Sequence, residues 1–350
     1  MTAQTLAKIQ DNYIMTDYNE TDFFGYDSDY VDEVCHKEDI LKVVSYLIPI
    51  FLTVVFVLSF IGNILVLIIL TFYENLKSLA NIFILNLALS DLLFTFGLPF
   101  WASYYMWGWT FGDFGCKAVK FLFYAGFYSS VLFLTLMTVQ RYVAVVHPLS
   151  DWERCRGFSV APFIVWILSA GAALLGSYRS KVIEEEKNTY CEYDSISIKL
   201  RIDYLQNAFF LIAFIIMGFC CIRIFHTITK AQTTGRHETV RVIFCISLVF
   251  FIFWAPFNIV MFVRSFSDLN LFTECQISKN IDNAFYVSRL LAFSHCCLNP
   301  VFYAFVDLKF RNDLKMILQI IFCQKTPLQV RQRRSDVLTQ NSCTVAMNLL

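Results

Sequence analysis

Residues 43–73 read VVSYLIPIFLTVVFVLSFIGNILVLIILTFY, with no charged side chain anywhere in the run. A helix rises about 1.5 Å per residue and needs roughly 20 apolar residues to cross the hydrocarbon core of a bilayer. This stretch exceeds that length, and it has no polar face to turn toward water. Working outward, residues 121–140, 157–178, 204–222 and 242–263 are also uncharged. Two more runs each hold one charged residue, Asp91 within 78–105 and Arg289 within 283–306. The spacing predicts an all-α membrane protein, a bundle of seven transmembrane helices. Three regions follow: an acidic extracellular tail at 1–42, the helical domain at 43–306, and an amphipathic eighth helix with a cytoplasmic tail at 307–350.

Composition agrees with that class. Hydrophobic residues make up 57% and charged ones 16% of the 350 residues, against roughly 45–50% and 25% in soluble domains. The zero net charge hides an asymmetry. Residues 1–39 hold ten acids and two bases, whereas residues 306–350 hold seven bases and three acids. Basic loops stay cytoplasmic. The segment with Arg223, Lys230, Arg236 and Arg241, together with the C-terminal tail, therefore places the N-terminus outside. The expected location is a multi-pass position in the plasma membrane, in contact with its lipids. Span one is expected to act as an uncleaved anchor, because it is too long and starts too late for a signal peptide.

Cys35, Cys116, Cys191 and Cys275 fall on the oxidising outer side. Bridges Cys116–Cys191 and Cys35–Cys275 would staple the loops into a rim, although four cysteines allow three pairings. Asn19-Glu-Thr21 is a glycosylation sequon at Asn19. Cys323 follows an apolar run and is a palmitoylation candidate.

Ionisable groups inside spans are costly, so each suggests a function. Asp91 must be protonated, paired or bound to a metal. Asn63, Ser130 and Asn299 carry the amide and hydroxyl groups that would surround it. Asp91, Ser130 and Asn299 suit sodium, or else a hydrated hydrogen-bond network. Arg289 needs a partner, either Asp282 or an acid on a ligand. Pro256 and Pro300 interrupt spans six and seven, and each is expected to kink its helix. No other cofactor is expected. No HExxH, GxSxG or phosphate-binding loop is present. The chain reads as neither an enzyme nor a nucleic-acid-binding protein.

Taken in order, these residues resemble a rhodopsin-like G-protein-coupled receptor. The resemblance rests on Gly62-Asn63, on Leu87 with Asp91, on Cys116 through Arg141-Tyr142, and on Trp166. It continues through Phe253-Trp254-Ala-Pro256 and Asn299-Pro300-Val-Phe-Tyr303, followed by the amphipathic Asp307–Lys315. Trp109-Thr-Phe111-Gly112, the Cys35/Cys275 pair and His295-Cys-Cys-Leu-Asn-Pro300 are similar to the chemokine-receptor branch. Ser78–Asn86, Leu291–Cys297 and Arg289 resemble the subgroup for the C-type chemokine, lymphotactin.

The resemblance implies a basic chemokine ligand. It also implies coupling to a heterotrimeric G protein of the inhibitory class, chemotaxis, and tail phosphorylation by receptor kinases for arrestin. Ligand binding is expected at Tyr13, Tyr18, Tyr26 and Tyr30, with at least one sulfated, and at Trp101, Lys120, Phe123, Tyr124, Tyr286 and Arg289. Activation and coupling are expected at Gln140, Arg141, Tyr142, Trp254, Pro256, Asn299, Pro300 and Tyr303. Gln140 stands where the family usually has an acid, and Cys221 where it usually has a tyrosine. These departures put basal activity in question and leave an atypical, ligand-scavenging receptor as the alternative.

Overall fold

A computed structural model describes residues 38–72, 78–147, 157–185, 188–231, 237–269, 275–306 and 308–323. Helix α1 spans Glu38–Phe72, α2 Leu79–Trp107, α3 Gly112–Val146 and α4 Gly157–Tyr178. Strands β1 (Ser180–Glu185) and β2 (Asn188–Tyr193) form an antiparallel hairpin with Val182 opposite Cys191. Then come α5 (Ile196–Ala231), α6 (His237–Asp268), α7 (Cys275–Phe293), α8 (His295–Val306) and α9 (Leu308–Cys323). Helix α1 begins at Glu38, ahead of the charge-free run at Val43.

Among the described residues, six helices, α1 to α6, are long and apolar enough to cross a membrane. The seventh crossing is divided between α7 and α8, with the break at Ser294. The break has local causes. Ser294 Oγ donates to the Leu291 carbonyl and His295 Nδ1 to the Ala292 carbonyl, both at 2.6 Å. Pro300 has no N–H to offer the carbonyl of Cys296 four residues earlier. That carbonyl instead accepts from Asn63 Nδ2 at 2.9 Å and Ser59 Oγ at 3.2 Å, both on α1.

The outside of the bundle is apolar. Ile167, Leu175, Ile222 and Val287 are each about 70% exposed, or slightly more. A surface of that kind suits lipid and not water. The interior is held by close approaches and rings. A Cβ on Gly126 of α3 would come within 2.7 Å of the Phe94 Cβ and 2.8 Å of its backbone nitrogen. A Cβ on Gly62 would lie 2.9 Å from both Cβ and Cγ of Pro300. Small residues let helix backbones meet in this way. Helix α3 is the centre of the bundle and touches α2, α4, α5, α6 and β1.

The hairpin is fastened over one end. Cys116 at the start of α3 is bridged to Cys191, with Cα atoms 5.5 Å apart. Trp109 N donates to Thr189 O at 2.7 Å. Gly108, at φ +77°, makes the turn that allows this approach. Cys275 at the start of α7 is also disulfide-bonded. Its expected partner Cys35 lies outside the described residues, as do Tyr13, Tyr18, Tyr26, Tyr30 and Asn19. Cys323 closes the α9 backbone, and its side chain lies outside the described set.

Candidate functional site

At the hairpin end, α2, α3 and α7, together with Tyr193 of β2, bring six of the expected ligand-binding residues together. Lys120 is buried on α3, with Nζ 3.8 Å from the centre of the Tyr193 ring. Tyr124, one turn on, meets the Tyr193 hydroxyl directly through its own. Arg289 lies among rings, with Cζ 4.7 Å from the Trp101 centroid, 5.1 Å from Phe293 and 5.8 Å from Phe285. Its Nη1 donates to Tyr105 Oη at 2.9 Å. Phe123 sits beneath this group, 5.4 Å from Phe293 between ring centres. Tyr286 touches the pocket through Tyr105, at 6.4 Å.

One expectation is corrected here. Asp282 does not serve Arg289. Its Oδ1 faces Arg264 of α6 at 3.6 Å, and Arg264 also stacks on Phe285 at 4.3 Å. Contact between α6 and α7 supplies this nearer cation, which sequence reasoning did not weigh. Above the pocket Lys181 pairs with Asp194 at 2.5 Å and holds that carboxyl below its usual range, chiefly by the hydrogen bond.

Rings lead inward from Arg289. Phe293 packs on Phe94 at 5.2 Å, Phe94 on His295 at 5.1 Å, and His295 on Trp254 at 5.1 Å. Trp254, fully buried two residues before Pro256, lies 4.4 Å from Phe127. Below these rings is Asp91, with no exposed surface. Asn299 Nδ2 donates to its Oδ2 at 2.6 Å, and Ser130 Oγ donates to Oδ1 at 3.1 Å. Asn63 stands one layer away and bonds Ser59 and the Cys296 carbonyl. Ser59 also meets Thr95 at 2.6 Å, and Thr95 donates to the Asp91 carbonyl. Ser59 and Thr95 were missed by sequence reasoning. A hydroxyl in a span can always bond its own preceding turn, so it carries no signal.

Asp91 has no formal cation against it in this network. His295 Nε2 stands 3.9 Å from Oδ1 and has no hydrogen-bond partner. With Nδ1–H given to Ala292, a neutral ring turns a lone pair toward the carboxylate. A carboxylate, a hydroxyl oxygen and an unpartnered lone pair fit a small cation between them. Asn299 reaches the carboxylate through its amide nitrogen, on the opposite oxygen.

At the far end α3 presents Gln140, Arg141 and Tyr142. Gln140 is buried and its Oε1 has no hydrogen-bond partner. Thr138 Oγ1 and Ser247 Oγ, 3.1 Å apart, join α3 to α6 in this layer. Tyr142 packs on Phe219 of α5 at 5.8 Å. Tyr303 is buried against Phe310 of α9 at 5.9 Å, which ties α9 to the seventh crossing. Among the described residues no group of three His, Cys, Asp or Glu side chains is arranged to hold a metal.

Comparison with known proteins covers nearly the same ground as this geometry. Residues 62–303 match the family model of the 7 transmembrane receptor (rhodopsin family). The chain is 42% identical over 275 residues to Chemokine XC receptor 1 of Homo sapiens, covering 77% of this chain and 81% of that protein. It is 41% identical over 279 residues to the Mus musculus Chemokine XC receptor 1, covering 78% and 84%. It is 35% identical over 313 residues to C-C chemokine receptor type 8 of Macaca mulatta, covering 87% and 86%.

Proposed function

From the premise that this chain belongs to the rhodopsin family of seven-transmembrane receptors, and is a chemokine receptor and not an enzyme, we propose that it signals through an inhibitory-class G protein and directs chemotaxis. In this reading the N-terminus is extracellular and the ligand is a basic, C-type chemokine of the lymphotactin kind. The acidic tail attracts it over a Debye length of about 8 Å. Sulfated tyrosines among Tyr13, Tyr18, Tyr26 and Tyr30 add to that charge. The folded body of the ligand rests on the tail and the disulfide-bound rim, and its flexible N-terminus enters among Trp101, Lys120, Phe123, Tyr124, Tyr286 and Arg289.

The observation that carries this reading is the unbroken packing from Arg289 through Phe293, Phe94 and His295 to Trp254 and Asp91. A ligand shifts a two-state bundle only by its differential affinity for the two states. Here its contact on Arg289 presses on a stack that ends beside Pro256. Removal of one helical hydrogen bond at Pro256 leaves α6 able to swing its far end. Arg141, Tyr142 and Tyr303 then open a cleft for the G protein. Asp91 and Ser130 would hold sodium in the resting bundle, with Asn299 fixing the other carboxylate oxygen, and a cation there would offset the carboxylate's charge. The tail beyond Cys323 meets receptor kinases and arrestin.

Gln140 favours a second reading, a scavenging receptor that binds ligand without coupling. No acid is next to Arg141 in the sequence to set the resting state. Cyclic-AMP accumulation separates the two. A fall on adding lymphotactin that disappears in Arg141→Ala supports coupling. Binding without a fall supports scavenging.

A further inference from the structure

Among the described residues, the pocket at the hairpin end leaves donors of Arg289 and Trp101 without a hydrogen-bonded acceptor. Arg289 has five N–H groups in a planar fork. Among the described residues its one hydrogen bond goes to Tyr105 Oη, and its other contacts are ring faces. Trp101, directly beside that guanidinium, is 7% exposed, and its indole N–H has no hydrogen-bond partner. Lys120, on α3, rests its ammonium on the Tyr193 ring. Glu192 and Asp203 act on Lys120 by charge, as do the cations Arg289 and Lys199. The one carboxylate on α7 turned toward this region, Asp282, is taken by Arg264.

Ring faces stabilise a cation without using up its hydrogen-bond donors, because the attraction comes from the ring quadrupole. Tyr105 and the rings therefore hold the Arg289 fork still while leaving most of its donors open. A carboxylate is the planar, two-oxygen acceptor that such a fork matches. A ligand ammonium placed at the Arg289 fork meets that guanidinium's own charge, with Lys120 a second cation nearby.

We propose that this pocket is an anion receptor: it reads a carboxylate on the ligand segment that enters the bundle, with Arg289 as the primary contact and Trp101 Nε1–H and Lys120 as secondary donors. The proposal rests on the reading above that such a segment enters between α2, α3 and α7. Its content is the sign of the charge recognised. The segment is selected by an acidic side chain, and a free terminal ammonium is excluded from the Arg289 position.

Two measurements test this, one of them independent of any chemokine. In the first, the full chain is purified in detergent and melted with 1-naphthoate or with 1-naphthylmethylammonium, an aromatic carboxylate and a matching cation. Naphthoate is expected to raise the unfolding midpoint by about 3 °C at roughly ten times its Kd, and the ammonium is expected to have no effect. Arg289→Gln is expected to abolish the shift and Arg289→Lys to keep part of it. Melting without probe shows that each variant is folded. A shift with the ammonium, or a naphthoate shift unchanged in Arg289→Gln, overturns the proposal.

In the second, cells expressing the receptor are given lymphotactin, or lymphotactin in which any Asp or Glu of its flexible N-terminal segment is changed to the amide. The amide form is expected to lose about a hundredfold in potency on the wild type and almost nothing further on Arg289→Gln. Equal loss on both receptors overturns the proposal and leaves the chemokine reading standing. A naphthoate shift that needs Arg289, with no response to any chemokine, supports the anion site and removes the ligand reading.

Discussion

The pocket around Arg289 and the cluster around Asp91 both bury polar groups in apolar helices, and they treat them in opposite ways. Around Asp91 most donors end on acceptors. Asn299 and Ser130 take the two carboxylate oxygens, while Asn63 and Ser59 take the carbonyl that Pro300 leaves open. Around Arg289 the donors end on ring faces, one phenol, or nothing. A cluster whose donors are satisfied holds helices together, since any change leaves a buried group without a partner. An unsatisfied one waits for a ligand. The difference separates a framework with room for at most a small ion from a site open to a larger ligand within a single bundle.

The comparison can be broken first at the framework. Gly126→Leu forces a side chain into the Phe94 backbone, where even a Cβ meets Cα at 2.9 Å. We expect a cost above about 3 kcal/mol and almost no receptor at the cell surface by antibody staining. Normal surface levels would mean that α2 and α3 can part, and that the framework is looser than described. Next, Asn63→Ala leaves the Cys296 carbonyl with Ser59 alone. A loss of about 1–3 kcal/mol is expected in thermal melts of purified receptor, with ligand affinity little changed. If affinity falls and melting does not, the two regions are not separate.

Gln140→Glu sharpens the comparison at the far end by placing an acid beside Arg141. Basal G-protein signalling is expected to fall about fivefold, corresponding to about 1 kcal/mol, in a nucleotide-exchange assay without ligand. An unchanged basal rate would show that Arg141 is held by other means. The smallest effect is expected at Lys181→Ala. Its pair with Asp194 is exposed on the hairpin, and pairs of that kind contribute little and are screened by salt. Melting in low and high salt should match the wild type, whereas a clear loss would make the hairpin part of the framework.

How much of this was legible in the sequence depended on whether a signal needed a neighbour. Spans are read from one helix at a time, because lipid asks the same of every helix. Asp91 stood out because a carboxylate in a span is rare, and Asn299 and Ser130 were found as groups able to meet it. Ser59 and Thr95 gave no such signal. Arg289 was legible as a cation in need of company, but its company was not. Asp282 is two turns away on the same helix, and only the packing of α6 against α7 shows that Arg264 takes it. The break at Ser294 was likewise hidden, since it is made by side chains bonding their own preceding turn next to a proline. The Cys116–Cys191 bridge was expected, but the hairpin it fastens was not, because the strand register arises from the docked loop.

The contact of Gly62 with Pro300 bears on how such a chain can change over generations. A Cβ at position 62 would lie 2.9 Å from the proline ring. Alanine there, one nucleotide step away for any glycine codon, would meet that ring before it met anything else. Room appears only once position 300 has become smaller, and that step removes the proline that leaves the Cys296 carbonyl to Asn63. The two sites therefore drift as one. Across a set of descendants they would change together or stay fixed together, linking the first crossing to the last although 237 residues separate the sites in the sequence.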